Sequence, residues 1–308
     1  MTQADSHVFP ARRFLRKQRV HFLVCHLLPL TAVVLLPIWG LGIRIDWSGI
    51  VLLLGMWMLT GGVGVSVGYH RHFAHRAFKA CTPLRYMMAF CGGMAGQGPV
   101  MYWVALHRRH HSRSDLPGDP HSPCREATQL GSRWRSFLRG HMGWTIRHDV
   151  PKPSRYTREL MVDPVAIWSA RIYPMALIAG IALPAVLGAM MHDDEIKGMI
   201  QGVYWGGCVR LVVGHHLIWS VNSVCHASGS RPYNMSDQSG NVAWLAWMTF
   251  GEGWHNNHHA VPTSARLGLH RLQMDLGWRF ICFFRAVGLV SGVREAEPAA
   301  APASPSSP

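Results

Sequence analysis

Apolar positions along this chain do not alternate with polar ones. They fall in long unbroken runs separated by polar blocks. The first run extends over about 20–42 and follows a basic stretch containing Arg12, Arg13, Arg16, Lys17 and Arg19. A short turn with Arg44 and Asp46 leads to a second run over about 48–68. A third occupies 165–191, with Pro174 and Pro184 inside it, and an acidic turn (His192 to Glu195) joins it to a fourth over 198–220. Each approaches the roughly 20 residues that cross a bilayer. The pattern predicts four transmembrane helices arranged as two antiparallel hairpins.

Residues 84–104 are also apolar, but several glycines, Gln97 and Pro99 interrupt them. The following block, 105–160, carries 11 Arg or Lys residues. Such an excess marks the cytoplasmic side. Keeping it on the same side as the basic N-terminus requires that 84–104 not cross, so a packed or interfacial helix is predicted there. The short apolar stretches 243–250 and 278–290 read the same way. The expected division is a basic cytoplasmic segment 1–19, a membrane domain 20–293 whose cytoplasmic cap comprises 69–164 and 221–293, and a disordered Ala/Pro/Ser tail 294–308. Both termini and the cap are expected to be cytoplasmic.

Composition narrows the class. Charged residues make up 15% of the chain, against about 25% in soluble domains. An ordinary soluble enzyme does not fit, and neither does extensive disorder. The formal charge of +14 sits beside the apolar runs. No helix-turn-helix or finger spacing accompanies it, so a nucleic-acid partner is not expected. The seven cysteines contain no CxxC pair, which sets aside zinc fingers and a disulfide framework.

The chain has 20 histidines, and they cluster. One group is His70, His72 and His75. Two others have the form HxxHH: His107, His110, His111 and His255, His258, His259. On a helix, positions i, i+3 and i+4 share a face. All three clusters lie at the predicted cytoplasmic ends of spans, where they can converge. A transporter would instead need polar groups at mid-bilayer. Eight or nine imidazoles exceed what one four-coordinate zinc takes and point to two metal ions, with iron, zinc and copper all suited to nitrogen ligands. Asn222 and His226, four apart at the end of the fourth run, read as a metal-bound water holder and a ligand, or as a polar pair at a helix end. Asp119 and Glu252 are candidate carboxylates for orienting ligand imidazoles.

These motifs (His70-Arg-His-Phe-Ala-His75, His107-Arg-Arg-His110-His111, Gly251-Glu-Gly-Trp-His-Asn-Asn-His-His259, with Asn222-Ser-Val-Cys-His226 and Asp119-Pro-His-Ser-Pro123) resemble the membrane-bound fatty acyl desaturase family. Within it they are most similar to bacterial acyl-CoA (stearoyl-CoA-like) Δ9 desaturases. The resemblance runs from about His21 to Val290. It implies an all-alpha integral membrane protein of the bacterial inner membrane, with four transmembrane helices and a cytoplasmic helical cap that holds two Fe ions on nine histidines. One iron would take His70, His75, His107, His110 and His258. The other would take His111, His226, His255 and His259, with Asn222 holding a water. The implied reaction uses O2 as cosubstrate and places a cis double bond, at Δ9, in a saturated acyl thioester.

Long-chain acyl-CoA is the first expected donor. Ala105-Leu106 stand where animal-type enzymes carry an Arg-Asp pair for the CoA head, so acyl-ACP or a membrane glycerolipid is the alternative. A related di-iron hydroxylase is the other alternative. A separate ferredoxin-like or reductase-linked carrier would supply electrons. Gln97, Trp103 and Trp219 are the implied tunnel residues. Arg147, with Arg133, Arg135 and Arg139, would meet the donor's head or lipid headgroups.

Overall fold

A computed structural model describes residues 6–123 and 130–296. The expected tail from 297 onward and Cys124 lie outside them. Among the described residues ten main helices build the fold: α1 Leu15–Ile38, α2 Trp47–Ala74, α3 Thr82–Met94, α4 Val100–Arg113, α5 (130–146), α6 Pro164–Met190, α7 (195–223), α8 Ala243–Met248, α9 His255–Ala260 and α10 Leu276–Ala286, with single helical turns at Ala11–Arg13, Pro153–Tyr156 and Arg158–Met161. Two antiparallel ribbons of two residues per strand fasten the ends of the chain. β1 (Val8–Phe9) pairs with β3 (Val150–Pro151), and β2 (Lys79–Ala80) pairs with β4 (Val290–Ser291).

Among the described residues three helices, α1, α2 and α6, are long and apolar enough to cross a membrane. The fourth of the four predicted spans is not among them. The fourth predicted run does form one continuous helix, α7, but buried Gln201, Arg210 and His215 make it less apolar. The Arg210 guanidinium donates to the carbonyls of Gly206 (3.0 Å), Met94 (2.8 Å) and Gly180 (2.6 Å), which satisfies a charge buried among helices. Only 17% of the apolar window of α1 and 28% of that of α6 is covered by protein. Their bare faces are suited to lipid.

The sequence contains a packing signal of another kind. Gly198, Gly202 and Gly206 recur every fourth residue on α7 and face Pro184 and Gly188 of α6. A Cβ on Gly202 would stand 1.9 Å from the Pro184 carbonyl oxygen, and one on Gly188 would stand 2.2 Å from that of Gly198. Small residues at this spacing let helix backbones approach closely, which drives association where no water is expelled.

The region 84–104 is two helices rather than one. Gly96 and Gly98 adopt φ of 70° and 87°, a region favourable only without a side chain, and Pro99 then caps α4. With 13 residues, α3 is about 20 Å long, short of the roughly 30 Å hydrocarbon core. The break turns the chain back, so α4 brings its histidines to the same end of the bundle as the C-terminus of α2. Arg71, fully buried, ties that end together. It donates to the carbonyls of Ala265 (2.9 Å) and Phe250 (2.8 Å) and pairs with Asp275 (3.0 Å) and Glu252 (3.4 Å).

Candidate metal centre

The first cluster depends on how α2 is wound. On a regular α-helix, residues five apart point about 140° away from each other, so His70 and His75 would diverge. From Met58 to Ala74 the helix instead has the wider i→i+5 turns, and His75 N–H donates to the His70 carbonyl at 3.1 Å. The two rings come to 4.9 Å. His72 turns away and meets the Phe78 carbonyl at 3.2 Å.

Helix α4 supplies His107, His110 and His111, and α9 supplies His255, His258 and His259. His226 follows the end of α7. The six-residue α9 is held by its own asparagines and by Asn241, whose Oδ1 accepts from Asn256 N (3.0 Å) and Asn257 N (3.2 Å). Asn256 donates to the carbonyls of Tyr233 and Ser239, and Asn257 donates to that of Leu267. The two residues between the histidines thus anchor the helix while the imidazoles face the centre.

Nine imidazoles gather in two adjoining groups: His70, His75, His107, His111 and His258 in one, and His110, His226, His255 and His259 in the other. His110 and His111 are exchanged relative to the division the resemblance implied. Helix geometry leaves both pairings open, 107 lying about 40° from 111 and about 60° from 110 around α4, and the packing of the chain decides between them. The groups touch where the rings of His111 and His259 stand 4.6 Å apart.

Within the first group Nε2 faces Nε2: His70–His258 3.0 Å, His75–His107 2.7 Å, His107–His111 3.0 Å and His111–His258 2.9 Å. In the second, His226 and His255 do so at 3.0 Å. Two nitrogens bound at right angles to one ion at about 2.1 Å would be about 3.0 Å apart. The far nitrogens of four rings are committed to carboxylates: His70 Nδ1 to Glu252 (2.5 Å), His110 Nδ1 to Asp119 (3.0 Å), His226 Nδ1 to Asp115 (3.0 Å) and His259 Nδ1 to Asp237 (2.7 Å). Each such bond leaves Nε2 as a lone pair. The Nε2 atoms of His110 and His259 are buried without any partner. Inward lone pairs with no donor to meet them fit a pair of cations, and carboxylate partners on ligand imidazoles are the usual accompaniment.

The carboxylates anticipated at Asp119 and Glu252 are in place. Asp115 and Asp237 join them. A usable signal was that acids are scarce, 16 in 308 residues, so an isolated Asp in a neutral loop after a histidine motif merits attention. Asp115 sits at φ 60°, a strained setting for a residue with a side chain, and its Oδ2 also accepts from Gln238 N at 2.6 Å. Asp119 organises its loop by accepting from Asp115 N, His121 N and Ser122 Oγ. Ser66 and Arg71 hold Glu252.

Burial, and then the neighbouring imidazoles, hold His107, His111, His255, His258 and His259 well below the usual histidine range. They are therefore neutral, the form that binds metal. Burial also pushes His110 down, but the Asp119 carboxylate outweighs it and raises the ring above its ordinary value.

One wall of the two groups belongs to an apolar cavity. His70, His107, His110 and His255 line its histidine end. Trp103 and Asn222, singled out from the sequence, line it too. Gln97 and Trp219 lie elsewhere, in a second cavity, and Arg147 is exposed on the surface. Trp57 is the lining residue farthest along α2 from His70. Its ring lies on the bare backbones of Gly61 and Gly214, where a Cβ would come within 2.3 and 2.7 Å, and its Nε1 donates to the Met248 carbonyl at 3.0 Å.

Comparison with known proteins agrees with this geometry. The chain is 44% identical over 285 residues to a hex-5-enoyl-[acyl-carrier protein] acetylenase of Moorena producens, covering 90% of this chain and 86% of that one. It is 36% identical over 257 residues to an sn-1 stearoyl-lipid 9-desaturase of Anabaena variabilis (82% and 86%). It is 36% identical over 256 residues to a chloroplastic palmitoyl-monogalactosyldiacylglycerol delta-7 desaturase of Arabidopsis thaliana, spanning 82% of this chain and 63% of the plant protein. Residues 45–278 match the fatty acid desaturase family throughout, and with the paired histidine groups falling inside that stretch, the chain belongs to this family.

Proposed function

We propose that this protein is an O2-dependent di-iron desaturase that introduces a cis double bond into a saturated acyl chain carried by a glycerolipid or an acyl carrier protein. The observation that carries this reading is the pair of lone-pair-rich imidazole groups on the wall of an apolar cavity. One iron would be held by His70, His75, His107, His111 and His258, and the other by His110, His226, His255 and His259. Bound there, the metal pair supplies the O2-dependent oxidising power needed to break unactivated methylene C–H bonds.

The protein's own residues do the rest. Glu252, Asp119, Asp115 and Asp237 fix the imidazoles. Asn222, which lines the same cavity and whose amide makes no hydrogen bond among the described residues, would hold a water there. The cavity walls keep the reacting methylenes away from bulk water. The donors named for the similar proteins above, an acyl carrier protein and glycerolipids, favour these over acyl-CoA. The Δ9 position is carried forward from the resemblance. We read α7 as a fourth span and the basic end, with both termini and the metal centre, as cytoplasmic at a bacterial inner membrane. Electrons would come from a separate ferredoxin-like or reductase-linked carrier.

Fatty-acid analysis of expressing cells, with double-bond position mapped, tests the reaction. An alkene is expected; an alcohol, or no new product, overturns it. Two further outcomes follow. Asp237→Ala frees His259 and is expected to weaken iron binding by about 10–100-fold, read by titrating apo-protein with ferrous iron. Trp57→Ala removes the ring that ends the cavity. It is expected to shift the product profile toward chains with more carbons beyond the double bond, read by gas chromatography.

A further inference from the structure

Three easily oxidised side chains lead away from the metal groups. Trp103, on α4, lies flat on His107, with ring centres 4.9 Å apart and planes inclined by 17°, and is 6.1 Å from His70. Tyr69 follows, 5.8 Å from Trp103. It is fully buried, and Gly92 makes room for it: a Cβ there would come within 2.3 Å of the phenol ring. Tyr173, on α6, is next. A Cβ on Gly93 would stand 3.9 Å from the Tyr69 hydroxyl and 3.7 Å from the Tyr173 ring, so the two phenols are near neighbours. Tyr173 in turn stacks on His21 of α1, with ring centres 5.8 Å apart.

The two phenols differ in where a proton can go. Tyr69 donates to the Gly98 carbonyl at 3.0 Å, with the Ala89 carbonyl at 3.3 Å, and carbonyls do not take up a proton. Tyr173 accepts from the Gly98 N–H at 3.0 Å, and its hydroxyl lies 2.6 Å from His21 Nε2. His21 lines a groove beside Lys17 and Gln18. With Nδ1–H turned to that groove, the imidazole offers Nε2 as a lone pair to the phenol O–H. Tyr173 can therefore give up an electron while its proton moves along an existing hydrogen bond, and imidazole is the side chain suited to receive it. Tyr69 has no such partner.

A site able to break methylene C–H bonds also endangers its own walls whenever O2 is consumed with no acyl chain in place, and excluding such side reactions falls to the protein. Trp103 is the readily oxidised ring stacked on a ligand imidazole. We propose that Trp103, Tyr69 and Tyr173 form an electron relay that protects the empty site, with His21 as the proton-accepting positioning residue. The inference rests on the di-iron reading and goes beyond the acyl reaction. One electron passes from Trp103 toward the metal pair. Tyr69 refills Trp103, Tyr173 refills Tyr69, and the Tyr173 proton moves to His21 Nε2. The net result is one electron gained at the metal pair, a neutral phenoxyl radical at Tyr173 and an imidazolium at His21. A small thiolate in the groove then gives one electron and becomes a thiyl radical, and His21 returns the proton to the phenol.

Electron paramagnetic resonance tests it. Reduced, iron-loaded protein is mixed with O2 without any acyl donor or thiol and freeze-quenched. A phenoxyl signal is expected, narrowed when ring-deuterated tyrosine is incorporated and absent from metal-free protein. Tyr173→Phe is expected to lose the signal, with oxidised Trp103 found instead by peptide mass spectrometry, while alkene formation from a supplied acyl donor starts at the wild-type rate. Tyr69→Phe, which keeps the buried ring, is expected to slow the signal's appearance. His21→Ala is expected to slow it by about 100-fold or more, the scale of a positioned proton acceptor. Added imidazole should restore it, which a purely structural role of His21 would not allow.

No phenoxyl signal in the wild type, an equal signal in metal-free protein, or a signal that survives Tyr173→Phe overturns the relay; the first two need no variant to fold. A His21→Ala rate equal to that of the wild type, or one that imidazole does not restore, overturns the proton-accepting role. Alkene formed without a phenoxyl signal overturns the relay alone. A Tyr173 signal with no alkene from any donor overturns the acyl reaction and leaves the relay standing.

Discussion

His110→Ala is expected to lower alkene formation by more than about 100-fold, beyond the upper range for losing a mere carboxylate partner, and to reduce the iron bound per chain. His110 Nε2 is buried without a partner, and Asp119 holds the ring from behind. His121, whose ring lies 4.7 Å away, packs on Trp144 and belongs to neither of the two imidazole groups. His121→Ala is the matched control, since it empties a similar volume beside the same loop and should leave iron content intact. The variant also strands the Asp119 carboxylate, at a cost of about 1–3 kcal/mol, but Asp119 keeps its bonds from Asp115 N, His121 N and Ser122 Oγ. Membrane insertion should survive. Full activity in His110→Ala, or equal iron loss in both variants, would contradict the two-metal assignment. Iron analysis beside product analysis reads both.

Gly202→Leu is expected to prevent α6 and α7 from seating. Overpacking a core with flexible neighbours costs about 1–3 kcal/mol. Here the obstacle is the Pro184 carbonyl, 1.9 Å from the would-be Cβ, with its carbon at 2.6 Å, and neither can move without shifting the helix. The midpoint of thermal unfolding in detergent should fall by at least about 5 °C, or the protein should be recovered aggregated. Gly55→Leu provides the contrast. A Cβ there meets nothing within 4 Å, so its effect should be slight. The consequence reaches the metal centre, because α7 carries Asn222 and leads into His226. Equal stability of the two variants would show that the glycine spacing on α7 does not set the helix contact.

Several features could be read directly from the residues. The apolar runs at 20–42, 48–68 and 165–191 mark the three long apolar helices, because lipid selects composition over a fixed length whatever the neighbours are. The HxxHH spacing fixes which faces of α4 and α9 carry imidazoles, since that follows from the helical repeat alone.

Other features belong to the tertiary structure. A spacing of five between His70 and His75 joins them only because α2 is wound with i→i+5 turns, and that winding depends on how the helix packs between its neighbours. Asp115 and Asp237 reach their imidazoles across 111 and 22 residues, so no local pattern pairs them. Gln97 and Trp219 line one cavity and Trp103 and Asn222 another, although 219 and 222 share a helix. By itself the sequence determined which residues were available for metal chemistry and which segments could face lipid, since both depend on residue type and local repeat. Only the folded chain decided which imidazole joins which group and where the second cavity opens, because contacts between distant segments are set by packing.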